Sequence, residues 1–119
     1  MTTRMNTIRT CNVEAGRPAL EQARRLVIEE IKRFKREGVK VLKVIHGYGS
    51  SGKGGALCVG LRKSFGLRKK EGVIKDFIAG EDYSIFNPRV LALVEAVPEL
   101  RSDPDLNATN EGITVLWLK

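Results

Sequence analysis

A chain of 119 residues with 42% hydrophobic and 29% charged content has the size and balance of one folded domain, not of a disordered chain. No apolar run nears the roughly 20 residues of a bilayer crossing, and the best candidate, residues 90–97, is broken by Glu95. The formal net charge of +7 is unevenly spread. Residues 1–75 hold 18 Lys/Arg against 6 Asp/Glu, and residues 76–119 hold 3 against 8, so the basic part points to an anionic partner, most commonly nucleic acid.

Residues 6–13 read as a first strand. Pro18 then stands where proline favours the first turn of a helix. Leu20, Ala23, Val27, Ile31 and Phe34 follow at helical spacing, and Gly38 closes that helix. Residues 39–45 (Val-Lys-Val-Leu-Lys-Val-Ile) are β-branched and mostly apolar, a second strand. A glycine-rich loop over 46–55 leads to a helix over 56–65, with Leu57, Leu61 and Phe65 on one face. Arg68-Lys69-Lys70 reads as a basic loop behind that helix. Residues 72–79 form a third strand. Asn87-Pro88 is an N-cap followed by proline at the first helical position, and that helix stops before Pro98. Residues 98–112 read as a polar surface loop, and 112–118 (Gly-Ile-Thr-Val-Leu-Trp-Leu) as a closing strand. The alternation of strands and helices implies a single two-layer α/β domain, a mixed four-stranded sheet with helices packed on it.

The isolated Cys11 and Cys58 follow no CxxC spacing, and His46 is the one histidine, so no metal site and no cofactor is expected. Spacing alone leaves a disulfide open, but the N-terminal residues show no secretory pattern. A cytoplasmic setting with two free thiols is therefore the expectation.

The loop His46-Gly47-Tyr48-Gly49-Ser50-Ser51-Gly52-Lys53-Gly54-Gly55 places five glycines in ten residues between a strand and a helix. Such a loop lets a ligand approach the backbone, and the helix behind it offers unpaired N–H groups and a positive dipole end, which suit phosphate. Gly47-x-Gly49-x-x-Gly52 satisfies a dinucleotide-binding spacing. The acid that should bind ribose is poorly placed, however: Glu71 precedes the third strand, and Glu81 and Asp82 lie beyond it. A small nucleotide- or dinucleotide-binding module is thus the alternative reading. The P-loop fails because Gly54 stands where Ser or Thr should follow Lys53. His46, at the strand end, is a candidate general acid or base.

Residues 39–65 resemble the centre of the Smr (small MutS-related) domain: a strand, a His-Gly-x-Gly loop with further glycine, and a helix carrying Leu61-Arg62. The closing Gly112-x-Thr114-x-x-x-Leu118 strand is similar as well. The resemblance implies a fold similar to the C-terminal domain of translation initiation factor three, and a function in binding DNA or RNA, with endonuclease activity in several members. It marks His46, Gly47, Gly49, Gly52 and Arg62 as site residues. The family's Leu-Asp-Leu-His-Gly at the first strand is replaced here by Cys11-Asn12-Val13-Glu14-Ala15, which leaves Glu14 as the candidate stand-in beside His46. Lys53, Arg62 and Lys63 are the expected phosphate contacts, with Arg68, Lys69 and Lys70 behind them, and Tyr48 is a candidate for stacking. The expected domain spans 1–119, with a core of 6–86 and 112–118 and a helix-and-loop insertion over 87–111 that packs on the core. The expected partner is DNA or RNA, with a ribosome or a larger protein as further candidates and no membrane.

Overall fold

A computed structural model describes residues 7–16, 18–47 and 53–119, without the side chain of Lys53. Strand β1 (Ile8–Asn12) leads through helix α1 (Leu20–Arg36) to β2 (Val41–Ile45), and α2 (Lys53–Lys70) leads to β3 (Ile74–Ala79). A short 3-10 turn (Gly80–Asp82), helix α3 (Pro88–Ala96), a second 3-10 turn (Pro98–Ser102) and β4 (Ile113–Leu118) complete the order. The sheet runs β1-β2-β4-β3. Its β1–β2 pair is parallel, while β4 is antiparallel to both β2 and β3. The sheet is therefore mixed, as the alternation of elements implies.

Strand residues point alternately to the two faces of a sheet, and here both faces are covered. On one face, Cys11, Leu42, Val44, Leu116 and Leu118 pack against the apolar stripes of α1 (Ala23, Val27, Ile31, Phe34) and α2 (Leu57, Leu61, Phe65). On the other face, Val41, Ile78, Ile113 and Val115 pack against Val90, Leu93 and Val94 of α3, with Val97 and Leu100. The layering thus goes beyond two layers, because the segment 87–111 supplies a cover for the second face.

Four boundaries differ from the sequence reading. Helix α2 begins at Lys53, inside the stretch 46–55 read as loop. Pro18 precedes the extended N-cap residue Ala19 instead of sitting in the first turn of α1. Helix α2 runs to Lys70, so Arg68, Lys69 and Lys70 form its last turn and not a loop. Gly66 is absorbed within the helix, and termination falls to Gly72, whose φ of +77° suits glycine at a helix end. The cationic last turn also complements the negative end of the helix dipole.

The fourth difference lies in 98–112, which is no simple surface loop. Leu100 is fully buried, a contribution on the order of 2 kcal/mol. Lys43 from β2 meets Asp103 at 2.8 Å and also pairs with Asp105, while the Tyr83 hydroxyl donates to Asp103 at 2.9 Å. The Asp103 side chain is 5% exposed. Residues read as polar and turn-rich therefore satisfy a lysine that would otherwise sit unpaired on the sheet.

Candidate nucleic-acid interface

The end of β2 brings His46 to the helix-covered face, where its side chain is fully buried. The adjacent β4 contributes Thr114, also fully buried, and α2 contributes Arg62. The His46 Nε2 lies 2.9 Å from Thr114 Oγ1, and Arg62 Nε donates to the same hydroxyl at 3.0 Å. The His46 Nδ1 contacts the Gly47 carbonyl oxygen.

Donor and acceptor roles then follow from chemistry. A carbonyl only accepts, so Nδ1 carries the proton; in the neutral imidazole Nε2 then accepts, and Thr114, which accepts from the Arg62 guanidinium, donates its O–H to it. Burial pushes the His46 pKa down from 6.5, with Arg62 acting in the same direction and the Gly47 carbonyl, Glu81 and Glu14 opposing it. The imidazole is neutral, and both its nitrogens are occupied.

Arg62 is occupied in turn. Its Nη1 and Nη2 grip the two Glu81 carboxylate oxygens at 2.9 and 2.8 Å, and Nη2 also donates to the Ile113 and Glu111 carbonyls. It ties α2 to the end of β3 and the start of β4. Glu81, the acid considered for a ribose, is instead the counter-ion of Arg62. Burial would raise its pKa, but Arg62 outweighs this and holds it below the usual value. The sequence reading placed Thr114 only in the closing strand and weighed Glu81 only for a ribose; neither was joined to His46 and Arg62. The available signal was a hydroxyl at an inward position of the otherwise apolar run 113–118.

Around this cluster the backbone is drawn tight. The N–H groups of His46 and Gly47 both donate to the Gly112 carbonyl at 3.0 Å. Gly47 has φ +72°, and a Cβ there would lie 2.2 Å from a Glu14 carboxylate oxygen. The positive φ is what favours glycine here, since the exposed Glu14 side chain could swing aside from a Cβ. Glu14 lies exposed beside Gly47.

Tyr48, Gly49, Ser50, Ser51 and Gly52 lie outside the described residues, as does the side chain of Lys53, while Gly54 follows it in the first turn of α2. Gly55 is half-buried in the first turns of α2, and Lys63 is exposed on the same helix without a carboxylate partner among the described residues. Lys69 pairs with Asp76 at 2.9 Å and Arg68 with Glu71 at 3.0 Å, so Lys70 is the unpaired cation of that last turn. Helix α2 contains no acidic residue over its 18 positions. Cys11 and Cys58 are free and buried, and burial raises both thiol pKa values, that of Cys11 to about 11. Among the described residues no group of His, Cys, Asp or Glu could hold a metal ion, and no helix is long and apolar enough to cross a membrane.

No protein-family model matches the sequence, and no curated protein matches it. Among solved structures, the chain is similar to the crystal structure of the Smr domain of Thermus thermophilus MutS2, with a TM-score of 0.55 over 95% of this chain and 98% of that one. The fold is that of an Smr domain. At 15% identity the likeness is one of architecture, and it spans α3 and the following segment along with the rest.

Proposed function

We propose that this protein is a nucleic-acid-binding domain that holds the phosphate backbone through the glycine loop 46–55 and the start of α2. One observation carries the reading: an 18-residue helix without a single carboxylate begins directly behind the glycine-rich segment. Its positive dipole end is thus left unneutralised by its own side chains. The Smr-like fold and the basic balance of residues 1–75 support the same reading. Lys63 and Lys53 are the phosphate contacts on α2; Arg62, already gripping Glu81, is a positioning residue that fixes α2 to the sheet.

The bonding of His46 favours holding over cutting. A general base needs a nitrogen facing the proton it takes, and both nitrogens of His46 face inward to Thr114 and Gly47. In this reading His46 fixes the loop entrance, and Glu14 flanks it.

The test is a mobility-shift titration of labelled single- and double-stranded RNA and DNA across a salt series. The two lysine contacts predict a slope of log K against log salt of about −1.4 for single strands and about −1.8 for duplex. Lys63→Glu should flatten the slope and weaken binding to every sequence alike. Binding indifferent to salt would refute backbone recognition. Products that appear with wild type and vanish with His46→Ala would refute the holding-only role.

A further inference from the structure

At the end of the sheet away from the glycine loop, Lys40, Lys75, Ala96, Val97, Trp117, Leu118 and Lys119 line a groove of about 430 Å³. Its register is set by the sheet. Val41 pairs with Trp117, whereas Ile45 pairs with Ile113 beside His46; four residues along a strand separate the two sites by about 13 Å. The β3–β4 pairing shifts between Ile74 and Asp76, which leaves Lys75 as the extra residue of a bulge. Its Nζ lies 4.4 Å from the centre of the Trp117 ring. Bulges re-aim side chains in this way.

The groove combines two chemistries. Lys40, Lys75 and Lys119 pair with no carboxylate among the described residues. Asp76, the acid next to Lys75, is held by Arg89 at 2.6 Å and Lys69 at 2.9 Å on other sides. Between the lysines lie a half-buried indole and the exposed Ala96, over a floor of buried Val97 and Leu118. A ligand that answers both has a flat π-face and an anionic group a few ångströms away, which describes a nucleotide. Lys75 over the indole makes an exposed cation–π contact, weaker than base stacking on an aromatic ring, so a base can displace it and leave the ammonium to meet the phosphate.

We propose that this groove binds one nucleotide of a single-stranded nucleic acid, its base on Trp117 and its phosphate on Lys40 and Lys75. The choice of a polynucleotide over other anions rests on the function proposed above; the site itself is separate from the loop. In a duplex the bases are stacked on one another, so the groove would distinguish single strands from double.

Trp117 is the one tryptophan in the chain, so its fluorescence reports this groove alone. The full chain is titrated with a single-stranded oligonucleotide, a duplex and a nucleoside monophosphate, and the Lys40→Ala/Lys75→Ala variant is compared after its unfolding midpoint is shown to match wild type. The expected result is saturable quenching by the single strand, weak quenching by the duplex, and at least about fivefold weaker single-strand affinity in the double variant. Single-strand binding seen by mobility shift, with unchanged Trp117 emission and unchanged affinity in the double variant, overturns the groove while leaving the loop reading intact. Equal affinity for the monophosphate and the oligonucleotide overturns the single-strand assignment in favour of a free nucleotide. Quenching that survives Lys63→Glu while duplex binding is lost upholds the groove as a site of its own.

Discussion

His46 is a neutral imidazole with no solvent exposure, placed between a hydroxyl that donates to Nε2 and a carbonyl that accepts from Nδ1. Protonation would replace an accepted hydrogen bond with two facing donors in a buried site. Because the folded pKa lies below 6.5, the unfolded chain binds the proton more readily. Stability is therefore complete above about pH 7 and declines as pH falls through the ordinary histidine range toward the folded value. Urea denaturation between pH 7.5 and 5 should show this decline, and His46→Asn should flatten that part of the profile. An unchanged slope in the variant would contradict the buried neutral assignment. Arg62 is the second residue on which the cluster hangs. Arg62→Met leaves Glu81 and the Ile113 carbonyl without their donor, and the loss should reach about 2–3 kcal/mol. Equilibrium unfolding checks it.

At the scale of elements, the segment between α3 and β4 is pinned by charge and by contact at once. Lys43, Asp103, Asp105 and Tyr83 hold one end. At the other, Gly80 packs so closely that a Cβ would lie 1.9 Å from the Asn110 carbonyl oxygen and 2.6 Å from Ile113. Gly80→Ala must push this backbone outward, at a cost of about 1–3 kcal/mol. A lower thermal midpoint together with faster proteolysis within 98–112 is the expected outcome, and an unaltered midpoint would show that the segment yields freely. The strands and the three helices were legible from hydrophobic period and end signals, as in the stripe from Leu20 to Phe34 and the Asn87-Pro88 cap. The role of 98–112 was not. Its polar residues find partners only across the fold, since Asp103 reaches a lysine 60 positions away, and no local pattern encodes that pairing. The same holds for the site. Position beside the glycine loop singled out His46 and Arg62, but whether they face a ligand or each other depends on Thr114 and Glu81, which are distant in sequence.

Across the whole molecule, the chain's charge divides by function. Four of the eight acids in residues 76–119 are drawn into internal pairs: Asp76 with Lys69 and Arg89, Glu81 with Arg62, Asp103 and Asp105 with Lys43. Among the described residues, Arg25, Lys32, Arg36, Lys63 and Lys70 on α1 and α2 are exposed cations without a carboxylate partner. In the proposed function these cations steer polyanions toward the α1–α2 side. A backbone titration by nuclear magnetic resonance tests this most directly. With isotope-labelled protein and a short RNA or DNA strand, the largest amide shifts should fall within residues 46–55, at Gly112 and in the first turns of α2. Saturable binding that leaves those amides unmoved would contradict the account.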